Sequence, residues 1–190
     1  GQTELAVSQW NALAGDAIEA RQYEVAREAA GEGLLGDTEN ISLRVLRAEA
    51  NRRLSNYDTA ARDLRTLAER LAIEKQYARS EEYLEQALEL NPRNDELLAM
   101  LVETQLTREM PEKAIGTLTR LCELYRQNGQ LDEAIEQARR IVEIDPSEER
   151  KDHLAGLLIA TGRTNDAVAV WREIADHLAT EGETDTAFAR

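Results

Sequence analysis

The chain has 190 residues and a formal charge of −14, with 37 acidic against 23 basic side chains, three prolines, one phenylalanine and one cysteine. So acidic a total argues against phosphate-backbone binding, and no stretch approaches the ~18 consecutive apolar residues of a membrane span. The lone Cys122 excludes an internal disulfide and points to a reducing, cytoplasmic setting.

Leu, Ala, Glu and Arg dominate and β-branched runs are few, which predicts an all-α chain. In chain order the apolar periodicity and turn signals place helices over 3–19, 23–35, 41–54, 57–74, 77–90, 95–109, 111–127, 131–143, 148–161, 164–180 and 184–190. Pro92 and Pro146 each follow a helix end, because proline cannot continue one. Pro111 stands at a first helical position, where its missing N–H costs nothing. Gly129 and Gly162 fit turns between helices. No charged segment followed by an apolar run opens the chain, so no secretory leader is legible.

Two turn signatures lie close together. Asn56-Tyr57-Asp58-Thr59-Ala60 recurs as Gln76-Tyr77-Ala78-Arg79-Ser80. Taking the small residue that closes each signature as a phase marker gives Ala26, Ala60, Ser80, Ala114, Ala134, Ala167 and Ala187, spaced 34, 20, 34, 20, 33 and 20 residues apart. Twelve residues before each marker stands another small or modest side chain: Ala14, Ala48, Ala68, Val102, Cys122, Ala155 and Ala175. One residue earlier come Leu13, Arg47, Leu67, Leu101, Leu121, Leu154 and Ile174. Close helix crossings need small residues where backbones approach and larger apolar ones beside them.

Trp10-x2-Leu13-Ala14-x2-Ala17 with Ala26, then Leu64-x2-Leu67-Ala68-x2-Leu71 with Tyr77, Ala87 and Pro92, then Leu118-x2-Leu121-Cys122-x2-Tyr125 with Gly129, Ala134 and Pro146, resemble the tetratricopeptide repeat family. The resemblance covers nearly the whole chain. It implies a right-handed α-α superhelical solenoid of helical hairpins. The 20-residue step departs from the ordinary two-helix repeat. Residues 57–75 would then form one uninterrupted helix, ending one repeat and opening the next, and 111–128 and 164–181 would do the same. The predicted unit is three helices in about 54 residues, giving units at 1–40 (partial), 41–94, 95–148 and 149–190 (partial). A chain that begins and ends inside units reads as a segment of a longer protein.

Chemistry is sparse. His153 and His177 lie 24 residues apart with no metal-ligand spacing. Cys122 sits at a crossing position that five other helices fill with Ala, so a buried structural thiol is expected. Acidic pairs such as Glu81-Glu82 fall on polar helix faces. Trp10 and Trp171 stand at the repeat's own Trp position and are expected to pack between helices. No Gly-rich phosphate loop or nucleophile motif is present. The reading is therefore no enzyme, no cofactor, no metal, no nucleic acid and no membrane insertion.

The resemblance implies a protein or peptide partner docked on the solenoid groove, with self-assembly into a homo-oligomer or service within a larger enzyme as alternatives. The carboxylate clamp that some members use on chaperone tails is not expected, since its first-repeat positions hold Asn11 and Gly15. Charge suggests one place for a partner. Residues 41–79 carry nine basic and five acidic groups, against the acidic background of the rest. Arg52, Arg53, Arg62 and Arg65 are the candidate partner-binding residues, four guanidinium groups on adjacent helices suited to an acidic partner. The alternative is internal neutralisation by Glu49, Asp58, Asp63 and Glu69.

Overall fold

The computed structural model describes residues 2–180. It holds α1 (Gln2–Glu19), α2 (Tyr23–Gly36), α3 (Ile41–Arg53), α4 (Tyr57–Ile73), α5 (Tyr77–Leu90), α6 (Asp95–Thr107), α7 (Pro111–Gln127), α8 (Leu131–Ile144), α9 (Glu148–Ala160) and α10 (Thr164–Thr180). No strand occurs among the described residues. The fold is all-α, with ten helices among the described residues packed as sequential hairpins. The expected eleventh helix at 184–190 and the marker Ala187 lie outside the described residues.

Helix starts follow the sequence closely. The Asn40 side chain accepts a hydrogen bond from the Leu43 N–H at 3.0 Å, and Asn94 does the same for Leu97 at 2.9 Å. Each satisfies one of the orphan donors of a first turn. Pro111 opens α7, as its spacing predicts.

Helix ends obey a rule the sequence hides. Arg21, Ser55, Lys75, Glu109, Gly129 and Gly162 all have positive φ, between 56° and 77°. Each stands five residues before a phase marker, so the turn rhythm and the marker rhythm are one. At five of the six the next N–H reaches back across the turn, as in Gln22 to the Ala17 carbonyl at 2.8 Å and Gln76 to that of Leu71 at 2.7 Å. This is the helix-ending motif that needs a left-handed residue, usually glycine. Only two of the six are glycine. The left-handed turn at Lys75 also explains why α4 stops at Ile73 rather than running to residue 75.

The markers mark the crossings. All six that are described, Ala26, Ala60, Ser80, Ala114, Ala134 and Ala167, are fully buried at 0 % exposure. Their partners Ala14, Ala68, Val102 and Ala155 are equally buried. The backbones come close enough there for side chains to bond across: the Ser80 hydroxyl donates to the Ala68 carbonyl at 2.8 Å, and at the equivalent crossing the Cys122 thiol donates to the Ala134 carbonyl at 3.3 Å. Burial raises the Cys122 pKa, so the thiol is structural.

The chain divides into two compact units between Arg108 and Glu109. In the first, each helix from α1 to α6 packs on the next, and α1 also touches α3. In the second, α7 packs on α8, α8 on α9 and α9 on α10. Helix α4 is one unbroken rod of 17 residues, ~25 Å at 1.5 Å per residue. It packs on both α3 and α5. Leu67 and Leu71 within it are 1 % and 0 % exposed, and each such burial contributes about 1.5–3 kcal/mol.

The two tryptophans differ. Trp171 is half-buried against the core cluster that includes Leu154, Ala155 and Leu158, and its indole N–H donates to Asp152 of α9 at 3.1 Å. Trp10 is 36 % exposed and its neighbour Leu13 43 %, so the packing expected at this first position is incomplete. His153 and His177 are exposed.

Candidate partner-binding groove

The first unit carries a groove of about 250 Å³ walled by α3 and α5 over α4. Val45, Ala48, Glu49 and Arg52 form one stripe of α3, since residues three and four apart share a helix face. Leu64 supplies the floor from α4, and Tyr83, Gln86 and Glu89 line the wall from α5. The groove is thus apolar at its base and polar at its rim. The second unit has a smaller groove of about 190 Å³, lined from α8, α9 and α10 by Arg139, Val142, Lys151, Leu154, Val170 and Glu173 among others.

Only one of the four candidate arginines lines the first groove. Arg52 does, and its guanidinium holds Glu49 in two-point fashion, Nε to Oε2 at 2.8 Å and Nη2 to Oε1 at 3.0 Å. Arg53 shares that carboxylate at 2.7 Å. Partial burial of Glu49 would raise its pKa, but the hydrogen bonds from Arg53 and Arg52 and their charges outweigh it and hold the group below its ordinary value. Arg65 binds Glu69 at 2.9 Å and also Glu96, tying α4 to the start of α6. Arg62 is exposed and makes no side-chain ion pair among the described residues. Three of the four cations therefore already hold carboxylates, and the four do not converge on one cavity.

Sequence proximity misjudged two acids: Asp58 is exposed and makes no ion pair among the described residues, and Asp63 pairs elsewhere. Asp63 is buried, but it binds none of the four: Arg47 donates to it from Nε at 2.9 Å, and Arg44 approaches within 3.6 Å. Arg44 and Arg47 stand three apart on α3, and that spacing was the available signal for a clasp onto α4. The apolar groove residues Val45, Leu64 and Tyr83 were also missed. Each looks like an ordinary core position until the helices are placed side by side.

Among the described residues no three His, Cys, Asp or Glu side chains gather as a metal site, and no helix is long and apolar enough to cross a membrane.

The sequence matches the tetratricopeptide repeat family over residues 71–121 and again over 115–148. Together the two matches span residues 71–148, less than half of the chain. A TPR repeats protein from Bacteroides fragilis shares the fold, with a TM-score of 0.51 at 18% identity over 96% of this chain and 91% of that one. Two further solved structures align with lower TM-scores. A thermophilic TPR protein of Thermus thermophilus gives 0.34 at 18% identity, covering 80% of this chain and 99% of its own. TPR-like repeats of a Podosopora anserina kinesin light chain give 0.40 at 18% identity, over 95% and 98%. No curated protein matches the chain. Tetratricopeptide repeats generally serve as protein-interaction modules.

Proposed function

We propose that this chain is a non-enzymatic protein-interaction scaffold that takes a segment of a partner protein in the groove between α3 and α5. The observation that carries the reading is the groove's construction. Val45, Ala48, Leu64 and Tyr83 offer an apolar seat, while Glu49, Arg52, Gln86 and Glu89 offer polar groups at its edge. Binding sites for peptides combine these two features, the first for affinity and the second for register.

The repeat unit we infer is three helices in about 54 residues. The starts of α3 and α6, at 41 and 95, lie 54 apart, and those of α4 and α7, at 57 and 111, lie 54 apart as well. The alternating spacing of the left-handed turns supports the same unit.

A photo-crosslinking residue placed at Gln86 tests the groove. It should capture a partner segment, and Tyr83→Ala should abolish the capture while far-UV circular dichroism stays unchanged. Equal capture in the Tyr83→Ala protein, or from exposed Arg172 in the second unit, refutes the reading. Replacing Arg52, Arg53, Arg62 and Arg65 together by Glu asks whether the partner is acidic. If it is, affinity falls in that variant, and the parent's affinity weakens with salt. Unchanged affinity assigns binding to the apolar seat alone.

A further inference from the structure

The two walls of the first groove differ in whether their charges are already neutralised. Helix α3 supplies four arginines, and all four face carboxylates of this chain. Arg44 and Arg47 close on Asp63, and Arg52 and Arg53 on Glu49. Arg62, exposed and without an ion pair among the described residues, does not line the groove. The facing wall is different. Glu89 of α5 is exposed at the rim and makes no hydrogen bond or ion pair among the described residues. The same holds of Tyr83 and Gln86 beside it. Glu82 and Glu85 stand seven and four residues before Glu89, so the three share one stripe of α5, and both are likewise exposed and unpaired. Glu143, 54 residues after Glu89, lines the second unit's own groove and is also exposed and unpaired. Helix α2 packs on α3 and α6 on α5, so the first groove is bounded by the unit's own helices.

We propose that the side chain this groove takes from a partner segment is an arginine, an inference that rests on the peptide-binding reading above. Its stem lies along Val45, Ala48 and Leu64, its guanidinium faces the Tyr83 ring, and its N–H groups donate to the Glu89 carboxylate. Size limits the occupant first. At about 250 Å³ the groove falls below the ~300–1,000 Å³ of ordinary ligand pockets, so it admits one long side chain of a segment passing over it. Charge then selects the head group. An acidic side chain would be repelled by Glu89 and would find Arg52 already held at two points by Glu49. An aliphatic one would fill the seat and leave Glu89 to water. Arginine satisfies both parts of the groove, because its stem buries along apolar surface while its head stays at the rim. That head is planar, stacks on an aromatic face and pairs with a carboxylate through two parallel hydrogen bonds.

The probes are four fluorescein-labelled peptides, Gly-Ser-Leu-X-Leu-Ser-Gly with X as Arg, Lys, Leu or Glu. The full chain is titrated to millimolar concentration into each and followed by fluorescence anisotropy. The Arg peptide should bind about fivefold more tightly than the Leu peptide, the span of one exposed ion pair, with the Glu peptide weakest. Glu89→Gln should remove that advantage and leave the Leu peptide unchanged, and Glu89→Arg should make the Glu peptide the tightest of the four. Equal affinity for the Arg and Leu peptides overturns the arginine anchor, as does an Arg preference that survives both Glu89 variants. Tyr83→Ala separates this failure from that of the groove. If the Leu or Glu peptide binds best and Tyr83→Ala abolishes its binding, the groove stands and the arginine anchor falls. An Arg preference that Tyr83→Ala leaves intact overturns both. Failure of all four peptides to bind saturably overturns the anchor and leaves the groove to the crosslinking result.

Discussion

The same substitution, Gly to Ala, should act in opposite directions at two positions of one hairpin. Gly129 ends the turn after α7 with φ +77°, and a Cβ built on it meets nothing within 4 Å. No steric contact contributes, so the cost is purely that of the backbone. An L-residue in the left-handed region costs about 1–2 kcal/mol, and Ala recovers about 0.4–1 kcal/mol by restricting the unfolded chain. The net expectation for Gly129→Ala is a loss of about 1 kcal/mol. Gly116 lies inside α7, is exposed, and also has nothing within 4 Å of a built Cβ. There Ala gains about 0.8–1 kcal/mol of helix propensity. The two variants should therefore differ by about 2 kcal/mol in urea unfolding followed by far-UV circular dichroism. Lys75, with φ +60°, provides the reverse experiment. Lys75→Gly relieves the strained backbone and should stabilise by about 0.5 kcal/mol after the entropy of the added glycine is subtracted. If Gly129→Ala proves as stabilising as Gly116→Ala, the reading of these turns as left-handed helix terminators is wrong.

Three further perturbations test the packing and the charges. Asp63→Ala removes the buried carboxylate that Arg44 and Arg47 share; with side-chain exposures of 15% and 28%, those cations are partly wet, so a loss of about 2 kcal/mol is expected in chemical denaturation, below the figure for a fully buried pair. Gly33→Ala would set its Cβ 2.6 Å from Leu43 Cδ1 and 3.0 Å from Trp10 Cβ; since Leu43 is fully buried, overpacking should cost about 1–3 kcal/mol, and an unchanged melting temperature would contradict it. The Glu123 carboxyl is held at about 2, first by the Arg126 hydrogen bond and then by that of Gln127. A carboxyl depressed in the folded state adds stability that is present above its unfolded pKa of 4.5 and is lost as pH falls from there toward about 2. A side-chain NMR titration should find the Glu123 midpoint near 2 and see it rise toward 4.5 in Arg126→Gln, whereas a midpoint already near 4.5 in the parent contradicts the pairing.

Helix positions and the crossing residues were legible because both follow from local rules. Pro111 announces a helix start through its own backbone chemistry. The small residues Ala26, Ala60, Ser80, Ala114, Ala134 and Ala167 recur because two backbones cannot approach past a larger side chain. That constraint is written at one position at a time, so a single sequence displays it. The left-handed turns at Arg21, Ser55, Lys75 and Glu109 were not legible, because surrounding packing fixes their geometry without requiring glycine.

The candidate site shows the same division more sharply. Charge counting found an arginine-rich stretch, and chain proximity suggested which acids would neutralise it. Proximity was right for Glu49 and Glu69, which lie one helical turn from Arg52, Arg53 and Arg65, where neighbours on a helix face are set by the helix alone. It failed for Asp63, whose partners sit on the preceding helix, and for Glu96, which reaches Arg65 from a helix 31 residues on. It also gave no hint of the groove, whose walls come from α3 and α5 and whose floor comes from α4. Periodicity tells a helix which of its faces is apolar. Which neighbour that face meets, and how much of it is left for a partner, depends on contacts between segments distant in sequence, and those exist only once the helices have packed.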